Sequence, residues 1–171
     1  KLQQFELAYK WKKNGSSFER TGTLKTDVQP QFLFIERCFQ LLKKGGKLAI
    51  ILPETFFHAP KMHYILQMFK EHNVLALFDL PHNTFRPYNN AKCIALVIQK
   101  DTPQQKDITM AVAEQVGHDH NGKPMFRWDF ETQKLNKEEI WDDVPLIIEE
   151  FHNPSKAGKY TFQVKEKIVS D

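Results

Sequence analysis

Long apolar runs are missing from this sequence. The longest, Leu48 to Pro53, is far short of the roughly 20 residues that a membrane-spanning helix needs, so no such helix and no membrane partner is expected. Lys1-Leu2-Gln3-Gln4 lacks the charged-then-apolar layout of a secretory signal and reads as a start in mid-protein. Cysteine is scarce: Cys38 and Cys93 sit in unrelated apolar settings without metal-like spacing, which fits free thiols in a reducing cytoplasm. The seven glycines include no Gly-x-Gly and the nine prolines no Pro-Pro, so neither a glycine-rich cofactor loop nor a Pro-Pro motif is present. Nothing repeats, and no segment is of low complexity.

What is present is ordinary globular material. The 171 residues are 41% hydrophobic and 26% charged, enough for one domain with a real core. The net charge of +3 permits binding to a polyanion without establishing it. Residues 1–26 concentrate Lys10, Lys12, Lys13, Arg20 and Lys25 among Tyr9, Trp11 and Phe18. Such a segment, expected as a loop, could contact phosphate and stack on bases; equally, its aromatics could tuck back onto the core.

From Asp27 to Gln99 helix and strand alternate. Asp27 is placed to cap a helix, Pro30 suits its first turn, and Phe32, Ile35, Cys38, Phe39 and Leu42 recur at helical spacing. Lys43 and Lys44 complement the helix dipole, and Gly45-Gly46 stops it. Lys47 to Leu52 is apolar on both faces, as in a central parallel strand. A second helix is predicted to open at Pro60, with Met62, Ile65, Leu66 and Phe69 on one face and Asn73 near its end. Strands follow at Val74 to Leu80 and Ile94 to Gln99. The dozen residues between them include Pro81, Pro87, Asn89 and Asn90, leaving no room for a crossover helix, so the pair should be antiparallel. Ile108 to Ala113 adds a further strand, Gly117 to Gly122 a turn, and Asp143-Val144-Pro145 starts a short helix through Glu150. The polar, Lys-rich stretch from Asn153 to Asp171 reads as a linker to another domain.

Two stretches resemble a known family. Phe32 to Pro53, a helix, a Gly-Gly break and a strand closing in Leu-Pro, looks like the middle of a class I methyltransferase fold. Leu80-Pro81-His82-Asn83-Thr84-Phe85-Arg86-Pro87-Tyr88-Asn89-Asn90-Ala91-Lys92-Cys93, continued to Lys100, resembles the loop between the last two strands of adenine-N6 DNA methyltransferases of the type I restriction-modification kind, the modification (M) subunits. Phe5 to Lys13 and Met110 to Gly117 are similar to the same family. The family's Gly-rich loop and its Asn-Pro-Pro-aromatic tetrapeptide are absent, and by the resemblance both would lie N-terminal to Lys1. Cys93 stands where the family usually has Thr.

The resemblance implies an α/β fold: a partial class I methyltransferase (Rossmann-like) doubly wound sheet with an antiparallel strand near the edge. Residues 1–26 would follow the missing catalytic motif, 27–115 would form the C-terminal half of the methyltransferase domain, and 116–171 would lead to a further domain. It further implies methyl transfer from S-adenosylmethionine to adenine N6 in DNA, with a specificity subunit and a restriction nuclease subunit as partners. The cofactor site would lie mostly outside this chain, and the isolated chain would be inactive. The target base leaves the duplex and needs an aromatic platform. Phe85 is the candidate, its alternative being a loop anchor against the sheet. Lys92 is the candidate for a phosphate contact, its alternative a solvated lysine; Arg86 and Tyr88 share the loop. Ligands of open α/β sheets collect at this carboxyl edge. A second possibility is a non-catalytic DNA-binding or scaffolding subunit.

Other constellations carry less. His118, Asp119 and His120, with His58 and His63, match no recognised metal cage. Glu138, Glu139, Asp142 and Asp143 are expected on a solvated helix face. His72 suits a helix C-terminus.

Overall fold

Residues 1–58, 63–103, 107–156 and 158–165 are described by the computed structural model. Its strands are β1 (Tyr9–Asn14), β2 (Ser17–Leu24), β3 (Lys47–Pro53), β4 (Asn73–Asp79) and β5 (Cys93–Gln99), followed by β6 (Asp107–Val112), β7 (Phe126–Asp129), β8 (Lys134–Ile140) and β9 (Thr161–Lys165). The helices are α1 (Pro30–Leu41), α2 (Thr55–His58), α3 (His63–Lys70) and α4 (Val144–His152). The main sheet has the order β3-β5-β4-β6-β9, while β1–β2 and β7–β8 form separate two-stranded sheets. Two compact units divide the chain: Lys1–Ile50, Thr55–Leu75 and Val97–Gln105 in the first, and Ile51–Glu54, Ala76–Leu96 and Lys106–Asp171 in the second.

In the first unit, α1 follows its hydrophobic period. Pro30 opens it, and Phe32, Ile35 and Phe39 are buried. The N-cap is Gln29, without a side-chain hydrogen bond, and not the expected Asp27. At the other end the Lys100 ammonium donates to Leu42 O at 2.9 Å. Gly45 takes φ +75°, open to glycine, and its amide donates to Lys100 O while the Lys100 amide donates to Gly46 O, each at 2.9 Å. Glu36 is buried on this helix, and its carboxylate accepts the amides of Glu6 and Leu7, both at 2.8 Å. That pins the two short 3-10 turns Leu2–Gln4 and Glu6–Ala8 to α1. His72 is buried, stacks on Phe39 at 4.6 Å and accepts the Asp101 amide at 3.2 Å.

Residues 1–26 depart from the expected loop: after the two 3-10 turns, Tyr9–Asn14 and Ser17–Leu24 form a hairpin. Asn14 pairs with Ser17 across a turn in which Gly15 has φ +60°. The short helix α2 was also not foreseen. Ile65 and Phe69 are buried on α3 as expected, but Asn73 opens β4 instead of ending the helix. Pro60 and Met62, predicted at the start of that helix, lie outside the described residues.

The second unit holds the carboxyl ends of β3, β4 and β6. The Glu54 amide donates to Lys92 O at 3.0 Å, that of Leu80 to Cys93 O at 3.1 Å, and that of Ala113 to Asp79 O at 2.9 Å. The start of β5 thus meets the ends of β3 and β4, as antiparallel strands do. β4 and β6 pair in parallel, so the sheet is mixed, with its predicted antiparallel strand one place in from β3. β3 itself stands at the end of the strand order and not in the centre, and Ile51 is exposed. The core here is Ala111, Ala113 and Ile147, with Phe78, Val144 and Tyr160 packed on it.

Two more expectations fall in this unit. The Asn153–Asp171 stretch is not simply a linker, because β9 pairs antiparallel with β6; its last residues, 166–171, lie outside the described ones. The acidic run is not one helix face. Glu138 and Glu139 lie on β8, while Asp143 is buried before α4 and accepts the amides of Glu114 and Gln115, each at 3.0 Å. Among the described residues no helix is long and apolar enough to cross a membrane.

Candidate functional site

All four residues singled out for contact with the target base or DNA lie in the second unit, on the loop from Pro81 to Lys92 that joins β4 to β5. The loop is built by short-range hydrogen bonds. The Thr84 amide and hydroxyl both donate to Pro81 O, at 3.1 and 2.6 Å. The Arg86 amide donates to Asn83 O and the Asn89 amide to Phe85 O, each at 2.9 Å, and the Arg86–Pro87 bond is cis. Asn89 Oδ1 accepts the Ala91 amide at 2.9 Å, which is Asx-turn chemistry. Pro87 is backed by the turn at Gly122: a Cβ there would stand 3.2 Å from Pro87 Cδ. That turn is tied by Asp119, whose Oδ1 accepts the amides of Asn121 and Lys123 at 2.8 and 2.9 Å. The Lys123 hydrogen bond holds its carboxyl below the usual carboxylate range.

The four side chains divide by exposure. Tyr88 is 97% exposed, whereas Phe85 and Arg86 are half-buried. Lys92 is mostly enclosed, its side chain 19% exposed, with Nζ 2.6 Å from Asp79 Oδ1. That oxygen is shut off from water and has no aligned hydrogen bond, so the ammonium is its countercharge by proximity. The pair clasps both ends of the loop, since Asp79 ends β4 and Lys92 immediately precedes β5. Asp79 was not singled out from sequence; the available signal was an acid closing an otherwise apolar strand. Cys93 is buried beside it, its thiol 3.5 Å from Ala91 O, and burial pushes the thiol pKa up.

Elsewhere in the same unit a cleft of about 370 Å³ is lined by Val112, Arg127, Trp141, Asp143, Tyr160 and Phe162 among others, and by none of the four loop residues. Its guanidinium is already matched: Arg127 lies 3.1 Å from Glu139 and 3.2 Å from Asp143. Among the described residues no three His, Cys, Asp or Glu side chains come together as a metal site; the His63 side chain lies outside them. His118 Nδ1 and Asp119 O are 3.0 Å apart within the turn.

A family model described as N-6 DNA Methylase matches residues 4–169. No curated protein matches the chain at the level of sequence. Among solved structures it is similar to the type I restriction-modification system methyltransferase subunit from Streptococcus thermophilus, with TM-score 0.57 and 18% identity over 86% of this chain and 29% of that one. It is similar to a Vibrio vulnificus YJ016 protein assigned as the modification subunit of a type I restriction enzyme, with TM-score 0.54 and 14% identity over 80% of this chain and 28% of that one. A Listeria monocytogenes protein assigned to the class I S-adenosylmethionine-dependent methyltransferases gives TM-score 0.52 and 18% identity over 89% of this chain and 36% of that one. These likenesses show the fold, a partial class I methyltransferase sheet. The chain spans about a third or less of the length of the proteins it resembles.

Proposed function

Because the chain belongs to the N-6 DNA methylase family, we propose that the longer protein it forms part of methylates adenine N6 in DNA, from S-adenosylmethionine, within a type I restriction-modification system. The observation that carries this is the family match over residues 4–169. DNA is the substrate, a specificity subunit selects the site, and a restriction nuclease subunit completes the system.

No Gly-x-Gly occurs in the sequence, so the glycine-rich turn that would cradle the methyl donor is not supplied by these residues. The cofactor is therefore assigned mostly to other residues of the longer protein, and this chain alone is inactive. Its contribution is one wall of the base pocket. Phe85, half-buried on the Pro81–Lys92 loop, stacks on the flipped adenine. Arg86 and Tyr88 face the DNA backbone beside it. Lys92, held by Asp79, fixes the loop and places a cation at the sheet's carboxyl edge.

The test is methyl transfer from tritiated S-adenosylmethionine to an adenine-containing duplex, comparing the longer protein, with its partner subunits, and the 171-residue chain. The complete assembly is expected to form N6-methyladenine and the chain none. Phe85→Ala in the assembly should lower kcat/KM by roughly 5- to 150-fold, the value of one base–aromatic stack of about 1–3 kcal/mol. An assembly that leaves adenine unmodified sinks the function; turnover by the chain alone sinks its inactivity; an unaffected Phe85→Ala removes the stacking role.

A further inference from the structure

The charge of this chain is unevenly placed. Residues 1–26 carry six Lys or Arg against two Glu, a net +4; the remaining residues carry eighteen against nineteen, a net −1. The excess positive charge therefore belongs to the β1–β2 hairpin and its flanks, in the first unit.

Within the hairpin, aromatic and basic groups have separate tasks. Trp11 stacks on Tyr64 of α3 at 5.6 Å. Gln67 of the same helix grips β2 from both sides, accepting the Phe18 amide at 2.7 Å and donating to Phe18 O at 3.1 Å. Tyr64 also receives the Lys25 ammonium at 2.7 Å. Burial pushes the Tyr64 hydroxyl up to about 12 and lowers Lys25, so this anchor is partly desolvated. Arg20 is spoken for too: it lies over the Tyr9 ring at 4.4 Å and 2.7 Å from Glu6. Trp11 thus holds the hairpin down on α3 and Tyr9 is covered by Arg20, so these two rings are already engaged.

Lys10, Lys12 and Lys13 are left. All three are exposed, and among the described residues none makes an ion pair. Glu19 stands across from Lys12 in the register, with its carboxylate hydrogen-bonded to Asn14. Lys10 and Lys12, alternating with Tyr9 and Trp11, lie on the outer face of β1, and Lys13 follows on the other face beside the turn. The strand is anchored by β2, so little backbone entropy is lost when the ammonium groups meet phosphates.

We propose that this hairpin is a second DNA contact, separate from the Pro81–Lys92 loop, in which Lys10, Lys12 and Lys13 bind duplex phosphates without reading sequence. The proposal rests on DNA being the substrate, as argued above, and adds where the backbone is held. Phosphate neutralisation releases counterions, and each contact contributes about 0.9 to the slope of log affinity against log salt.

The experiment uses the longer protein and a fluorescent duplex lacking a recognition site, titrated between about 50 and 300 mM salt. The triple variant Lys10→Gln, Lys12→Gln, Lys13→Gln should flatten the slope by about 2–3 and weaken binding on the order of 100-fold at about 0.15 M salt. Replacing the same three residues by arginine should restore both, which separates lost charge from lost fold. An unchanged slope overturns the proposal, and so does a loss confined to single-stranded oligonucleotide. Adenine methylation by the wild-type protein at saturating duplex is read alongside. A wild type that fails to methylate while the variant still flattens the slope removes the enzymatic function and leaves the phosphate contact standing.

Discussion

Lys92 offers a sharp test of how the candidate loop is held, because a solvated lysine and a clasping one predict different energies. Its ammonium lies 2.6 Å from an Asp79 oxygen that has no contact with water, and the two side chains are 19% and 33% exposed. A surface ion pair with both partners in water is worth about 0–1 kcal/mol, whereas breaking a fully buried one costs about 3–5 kcal/mol. The enclosure here is intermediate, so Lys92→Met should destabilise the second unit by about 2 kcal/mol, roughly 30-fold in the unfolding equilibrium. Asp79→Asn should cost about 1–2 kcal/mol, since the amide retains an oxygen for the ammonium but loses the charge. With both changed, neither charge is stranded, and the double variant should recover about 1–2 kcal/mol relative to additivity. Urea melts at neutral pH provide the energies, with circular dichroism and tryptophan fluorescence required to coincide before a two-state fit is made. The coupling should persist at about 1 M salt, because an enclosed pair is poorly screened. A Lys92→Met variant within about 0.5 kcal/mol of wild type, with an additive cycle, would show Lys92 free in solution and return it to the role of a plain phosphate ligand.

Two further perturbations test what holds each unit. Glu36→Ala strands the Glu6 and Leu7 amides, one of them buried, and should cost about 3 kcal/mol in the same urea melts; a loss below about 1 kcal/mol would mean that the N-terminal turns dock without it. Glu150 sets a pH dependence: burial raises its pKa, but hydrogen bonds from the Thr161 hydroxyl and from the amides of Thr161, Tyr160 and Gly158 outweigh this and leave it below 4.5. A depressed carboxyl stabilises the fold above its unfolded pKa, near 4.5, and loses that contribution as pH falls through the folded value. Thermal melts of wild type and Glu150→Gln should therefore converge as pH falls below about 4.5, and curves that stay parallel through that fall would refute the assignment.

The elements read correctly from sequence are those whose side chains report their own burial. α1 shows Phe32, Ile35 and Phe39 at helical spacing, and β4 and β5 are apolar runs cut off by Pro-rich chain too short for a crossover. The hairpin was hidden for the opposite reason. Tyr9-Lys10-Trp11-Lys12 alternates with period two, and Gly15-Ser16 is suitable turn chemistry, but lysines on the outer face make the stretch look like loop. β8 and β9 are mostly polar, and only the backbone partners β7 and β6 make strands of them. The same limit governs the site. Phe85, Arg86, Tyr88 and Lys92 stand out because their loop resembles a family, while Asp79, thirteen residues before Lys92, is marked only as an acid closing an apolar strand. A strand-terminal acid becomes informative only when the next strand returns antiparallel and brings a cation back to its start. The short Pro81–Lys92 connection already predicts that return. An acid at the end of one strand and a lysine at the start of its returning neighbour can therefore be paired from the residue order alone, wherever the loop between them is too short to hold a helix.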